Sequence, residues 1–356
     1  MSVRVSALSL RLGAFALQDF SLALDDGEIL VILGPNGAGK SVSLEAIAGF
    51  HRLIGGHIRI AGRDVTLLPP ERRHISLLFQ NFGLFPHLTV AQNVAFGRHG
   101  LDPGRLLARF DIAALAGRRP DTLSPGQKQR VALARALAAQ PDLFLFDEPF
   151  SAIDAPTREV LRDELKAFLR ETGVPAIFVT HDQTDADALA DRIAVMDKGR
   201  IIQAGAAAEV LSRPVDAVVA SFLRIENILP GRSLGRSNGV MQVAVGDAVL
   251  AARPAAASGA VSVCIRAEDV VAAPADGADA GPEVNRLAAR VGAVTPRGPF
   301  FKVRLDCGFP LIAHLTRREV RERGIAPGSR VVAEIEAEAI HVVSAAGSEG
   351  RAAGEG

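Results

Sequence analysis

Tryptophan and tyrosine are both absent from the 356 residues, and phenylalanine supplies every benzenoid ring. Any aromatic surface in this chain therefore lacks the polar handle that an indole or phenol carries. Cysteine occurs twice, at Cys264 and Cys307. That pair makes neither a disulfide framework nor a metal-ligand spacing, and both read as buried free thiols. Neither sign of charge dominates, with 40 Lys+Arg against 40 Asp+Glu. A global basic field to hold a nucleic-acid backbone is thus missing. Apolar runs are short, and none approaches the ~20 residues that a membrane-spanning helix needs. Val3, Val5 and Leu10 alternate with polar positions, as a strand does and a signal peptide does not. A cytoplasmic protein is expected, whose contact with a membrane comes through a partner.

What is present is an alternation of strand-like and helix-like runs over the first two-thirds, the mark of an α/β core with largely parallel strands. Ile29–Leu33, Leu143–Phe146 and Ala176–Thr180 read as buried strands. Val160, Leu161, Leu165, Phe168 and Leu169 fall at helical spacing, and residues 193–203 read as a hairpin turning at Asp197–Arg200. Beyond about residue 215 a helix over Val215–Leu223 gives way to short strands at Val240–Val245, Val261–Ile265, Phe301–Leu305 and Val331–Ile335. Turn residues separate them, a pattern of small β-barrels. Ala272–Pro282 reads as a flexible loop and Ala345–Gly356 as a disordered tail. The length allows two or three domains, and no tandem repeat is visible.

The chemistry concentrates in five places. Gly34, Pro35, Asn36, Gly37, Ala38, Gly39, Lys40 and Ser41 fit the spacing Gly-x4-Gly-Lys-Ser, between a strand and a helix that continues through Val42. The glycines let successive backbone N–H groups point inward at a β-phosphate, and the helix start adds its positive end. Lys40 suits β- and γ-phosphate charge, and the Ser41 hydroxyl suits Mg²⁺. Asp147 and Glu148 end an apolar strand. The first carboxylate can orient Mg²⁺, and the second can reach an attacking water as general base. Leu123-Ser124-Pro125-Gly126-Gln127 opens a basic, Ala-rich helix. By itself that run is a sound helix start: Ser124 caps, Pro125 fills the first turn, and Gln127 stands at the capping-box position. Gln80 and His181, each after an apolar run, are polar residues whose meaning depends on the company they keep.

In that order, the set resembles the ATP-binding cassette (ABC) ATPases over residues 1 to about 205. The resemblance implies a P-loop ATPase domain over 1–225, with a helical subdomain at about 82–140. It implies that Gln80 contacts Mg²⁺ or the lytic water, that His181 holds the γ-phosphate, and that Ser151–Asp154 crosses a dimer interface. It also implies that Ser124, Gly126 and Gln127 complete an ATP site whose phosphate loop belongs to a second copy. The usual signature has glycine where this chain has Pro125. Proline at a first helical position removes an N–H that would be an orphan, so a working signature is expected. The base-stacking position of the family is commonly Tyr or Trp; here it falls on Leu12, with Phe15 three residues on, so loose base discrimination is expected.

Val219–Phe222 and Glu226–Gly231, with Ile265–Val270, resemble the junction and body of the transport-associated OB (TOBE) domains of import ATPases, placing an all-β domain over 226–345. Leu44–His51, Gln80–His87, Val303–Leu311 and Thr316–Arg318 look most like molybdate/tungstate importers. The resemblance implies ATP and Mg²⁺ as ligands, and a second copy, membrane permease subunits and, indirectly, an extracytoplasmic binding protein as partners. Arg297 or Lys302 is a candidate for an oxyanion site in the C-terminal domain. Importers of sulfate, iron(III), polyamines or sugars, and a soluble nucleotide-gated clamp, stay open as alternatives.

Overall fold

The computed structural model describes residues 3–96, 102–237, 239–274 and 283–345. Most of the expected loop, residues 275–282, and nearly all of the expected tail, residues 346–356, lie outside the described residues. The start of that loop is instead a strand, Val271–Pro274, paired to Val331–Glu334. By its internal contacts the chain forms two compact units, Met1–Val210 and Leu211–Gly356. This division precedes the boundary expected after residue 225. The reason is local: helix Ala217–Phe222 buries Val219 and Ala220 and packs on the strands Asn227–Ser237 and Ala260–Ile265.

The first unit opens with an antiparallel hairpin, β1 (Val3–Leu12) and β2 (Phe15–Leu24), followed by β3 (Ile29–Leu33) and helix α1 (Lys40–Ala48). Strands β4 (Gly55–Ile60), β5 (Arg63–Asp64) and β6 (Ile75–Leu78) come next. A helical segment holds α2 (Val90–Ala95), α3 (Pro103–Arg109) and α4 (Pro125–Ala138). The chain then alternates β7 (Leu143–Asp147), α5 (Ala155–Thr172), β8 (Ala176–Val179), α6 (Gln183–Leu189), β9 (Arg192–Asp197) and β10 (Arg200–Ala206).

Two sheets result. One is ordered β2-β1-β4-β5, and the other β10-β9-β3-β8-β7-β6 with parallel pairing from β9 through β6. Every residue of β3, β7 and β8 is buried, as expected for parallel strands covered on both faces. Phe20, Ile32, Leu44, Ile47 and Met196 belong to the apolar core, where α1 joins the two sheets. Arg73, also buried, closes the far end of α1: its guanidinium donates to the carbonyls of Ala46 (3.2 Å) and Ile47 (2.7 Å), and to those of Thr66 (2.9 Å) and Leu68 (2.7 Å). A cation at a helix C-terminus meets the negative end of the dipole. No described helix is long and apolar enough to cross a membrane.

The second unit is all-β in its body. One five-stranded sheet runs 248–252, 240–245, 227–237, 260–265, 340–344; the other runs 271–274, 330–336, 284–297, 300–306, 310–316. Alternating burial along Val240–Val245 and Arg330–Glu336 turns one face of each sheet inward. Both inner faces feed a single core containing Val243, Val263, Val303, Leu311 and Ile335.

Candidate active site

The loop between β3 and α1 is shaped by glycines, two of which, Gly34 and Gly39, have no room for a side chain. A Cβ on Gly34 would lie 2.1 Å from the Met196 carbonyl oxygen. Gly39, at φ 98°, is the residue before α1 and has no capping side chain. Backbone N–H groups at this helix start are thereby available to an anion. Inside the loop the Lys40 ammonium donates to the carbonyls of Gly34 (2.8 Å) and Pro35 (2.9 Å). Burial lowers its pKa, and the nearby Glu148 and Asp147 carboxylates oppose that shift.

Across the sheet, β7 delivers Asp147 opposite the loop, where it accepts a hydrogen bond from Ser41 Oγ at 3.1 Å. Burial raises the Asp147 pKa; the Ser41 bond and Lys40 pull it back. Glu148 follows in a left-handed backbone conformation, φ 49°, a strained state that non-glycine residues adopt where the surroundings enforce it. Its N–H is held by the Val179 carbonyl at 2.9 Å. One carboxylate oxygen lies 2.9 Å from Nδ1 of His181, and the other 3.5 Å from Nε2 of Gln80. Phe15, Asn36, Gly37, Gly39, Lys40, Ser41, Val42, Gln80, Glu148, Val179 and His181 line one cleft of about 600 Å³.

Three sets of elements, the β3–α1 loop, the strand end at β6 and the strand ends at β7 and β8, thus converge on one cavity. Ser41 Oγ, the Asp147 carboxylate and the Gln80 amide oxygen are hard oxygen donors, which suit Mg²⁺. Among the described residues no group of three or more His, Cys, Asp and Glu could hold a metal. A Mg²⁺ here fits only with ligands completed by phosphate oxygens and water, its ordinary habit.

Ser124, Gly126, Gln127 and Asp154 do not line this cleft. Ser124 Oγ accepts the Gln127 N–H (3.3 Å), and Gln127 Oε1 accepts the Ser124 N–H (3.0 Å), a complete capping box with Pro125 as first helical residue. Asp154 caps α5 through the Thr157 N–H at 3.3 Å. Of the two stacking candidates, Phe15 lines the cleft and Leu12 does not.

The sequence profile of the ABC transporter family matches residues 17–151, and that of the TOBE domain residues 282–342. The sulfate/thiosulfate import ATP-binding protein of Chromobacterium violaceum is 40% identical over 347 residues, 94% of this chain and 93% of that one. This chain belongs to the ABC import ATPases with a TOBE domain. The molybdate/tungstate import ATP-binding protein of Pyrococcus horikoshii is 39% identical over 350 residues, 96% of this chain and 99% of that one. A solved dimeric ATP-binding cassette, in a post-hydrolysis state with ADP and phosphate, superposes with a TM-score of 0.52 at 29% identity. It covers 58% of this chain and 98% of its own. The cleft accordingly belongs to an ATPase of the import class, and the soluble-clamp alternative falls away.

In the second unit of this ATPase, one of the two oxyanion candidates is already paired. Lys302 pairs with Glu226 at 2.6 Å, and His314 Nε2 approaches the same carboxylate at 2.7 Å. A carboxylate already matched to Lys302 makes that residue a poor oxyanion donor. Arg297 is exposed. Sequence reasoning also missed Gln129, a buried amide in α4 that binds the backbone around Glu148. The available signal was a polar residue standing one turn after Gly126 on the apolar face of an Ala-rich helix.

Proposed function

We propose that the chain works as a homodimer on the cytoplasmic face of a membrane, seated on permease subunits, where it hydrolyses Mg²⁺–ATP to drive import of molybdate or tungstate. The observation that carries the substrate is the near end-to-end match to a molybdate/tungstate importer subunit, which includes the second unit. The equally extended match to a sulfate/thiosulfate importer supports a second reading, sulfate, and both are tetrahedral oxyanions.

In each ATP site the loop N–H groups and Lys40 hold the β- and γ-phosphates. Ser41, Asp147 and Gln80 hold Mg²⁺, which supplies neutralisation of phosphate charge. Glu148 takes a proton from the attacking water as its oxygen bonds the γ-phosphorus and the bond to the bridging oxygen breaks. His181 keeps Nε2 free for a γ-phosphate oxygen, because Nδ1 faces Glu148; the 2.9 Å contact supports this division of labour. The partner subunit's Ser124 and Gly126 close the site, and Asp154 lies in the segment between the two. The dimeric cassette with ADP and phosphate supports this arrangement by its fold.

Proteoliposomes holding the chain, its permease and the binding protein test the substrate. Turnover stimulated by molybdate- or tungstate-loaded binding protein is expected; stimulation by the sulfate-loaded form alone transfers the assignment to sulfate.

A further inference from the structure

Gln129 is 1% exposed in a helix whose other buried residues are all Ala, Val or Leu. Burying an amide is unfavourable unless its polar atoms are satisfied, and here all its named partners lie in one segment. Nε2 donates to the carbonyl of Glu148 at 3.4 Å and to the carbonyl of Pro149. Oε1 accepts the N–H of Ala152 at 3.2 Å. One turn earlier on the same face stands Gly126, where a Cβ would lie 3.8 Å from the Ala152 carbonyl oxygen. The start of α4 is therefore tied to residues 148–152 through the Gln129 amide, with Gly126 lying alongside the same segment.

The connection continues. The carbonyl of Ile153 accepts from Arg158 Nη2 at 3.3 Å, and Arg158 Nη1 donates to Asp182, the neighbour of His181, at 2.8 Å. Glu148 sits at the near end of this path in its left-handed conformation, which its surroundings must maintain.

We propose that Gln129 is a positioning residue that ties closure of Ser124 and Gly126 on one nucleotide to the placement of Glu148, and through Arg158 of His181, at the other. This rests on the reading that the signature completes the partner's ATP site. Gln129 touches no nucleotide. It transmits because Gln129 shares a helix with Ser124 and Gly126 while its amide is bonded to the backbone of Glu148, Pro149 and Ala152, so that displacement of the helix start moves the base. Such coupling between two sites is reciprocal and appears as cooperativity in ATP.

Steady-state turnover against ATP concentration is measured for the full chain and for Gln129→Leu and Gln129→Glu. The leucine removes every polar contact; the glutamate keeps the shape and the Ala152 acceptor but loses both donors. Both variants are expected to lower kcat by about tenfold or more, and to bring a Hill coefficient above 1 in the parent down to about 1. Nucleotide affinity of the isolated subunit should stay within about twofold, under 0.5 kcal/mol. Normal kcat and cooperativity in both variants overturn the inference while leaving the dimer reading intact. A Glu148→Gln chain that fails to dimerise with ATP overturns that reading, and the inference with it. Should both Gln129 variants be unfolded, amide exchange in Glu148→Gln decides: ATP should slow residues 124–131 and 148–153 together. Protection of the first segment without the second overturns the proposal.

Discussion

His181 Nδ1 faces one oxygen of the Glu148 carboxylate at 2.9 Å, which joins the histidine and the proposed general base in a single hydrogen-bonded pair. Gln80 approaches the other oxygen, which leaves little freedom for the carboxylate to turn. Glu148→Gln should lower ATP turnover by about 10²–10⁴-fold while leaving ATP binding intact. Because the two residues work together, adding His181→Ala to Glu148→Gln should change turnover far less than His181→Ala does in the parent. Single-turnover hydrolysis and nucleotide binding measured on the four chains check this. Near-normal turnover in Glu148→Gln removes the base assignment.

Asp147 places a charge where the fold resists one. Burial holds its carboxyl above the ordinary 3.8, so the native chain binds the proton more tightly than the unfolded chain does. The resulting loss of stability sets in as pH rises from the ordinary carboxylate value through the native pKa, and it persists at neutral pH. Asp147→Asn removes that charge. At pH 7 its melting temperature should exceed the parent's, by about 2–4 °C for each kcal/mol relieved. The gap should close as pH falls toward 4. Turnover should fall sharply at every pH, because the asparagine offers Mg²⁺ an oxygen without the negative charge of the carboxylate. A variant less stable than the parent at pH 7 sinks the argument.

Pro125 is the departure from the usual signature, and the structure makes it the first residue of α4 behind a complete Ser124–Gln127 capping box. The N–H that proline lacks has no intrahelical partner at that position in any case. Pro125→Gly should therefore change turnover by less than about threefold, under 1 kcal/mol of barrier. Its thermal stability should fall by about 0.4–1 kcal/mol, since glycine frees the unfolded chain. Rescue of an inactive parent by the glycine contradicts this account.

The phosphate loop and β3, β7 and β8 were legible in the sequence because continuous apolar runs mark buried strands, and the Gly-rich loop, Asp-Glu and His that end them take their meaning from their order along the chain. Gln80, Glu148 and His181 gain theirs by convergence on one carboxylate, which order along the chain announced but could not measure. Arg73 was not legible, since its role depends on bringing residues 46–47 and 66–68 to one guanidinium. Gln129 was hidden for a related reason: in sequence it is another polar residue in a basic helix, and only packing shows its amide facing residues 148–152. The compact unit ends at Val210, earlier than the boundary expected after residue 225, because the apolar spacing of 217–222 tells that a helix has a buried face, not which strands cover it.

Phe15 and Leu12 stand opposite each other at the tip of the β1–β2 hairpin. Phe15 turns toward the phosphate loop: a Cβ on Gly39 would lie 2.2 Å from its Cζ. Leu12 is 38% exposed and outside the cleft. As a ring lining the cleft, Phe15 is the expected stacking surface for a base, and base–aromatic stacking contributes about 1–3 kcal/mol. Phe15→Ala should raise KM for ATP by about tenfold, about 1.4 kcal/mol, with a smaller effect on kcat. Leu12→Ala should shift KM by less than about twofold, under 0.5 kcal/mol. A phenyl face without a hydrogen-bonding handle stacks on either purine, so kcat/KM for GTP should lie within about tenfold of that for ATP. Steady-state kinetics with both nucleotides measure all three quantities. Strict preference for ATP, or a Leu12→Ala defect larger than that of Phe15→Ala, would move the stacking surface elsewhere.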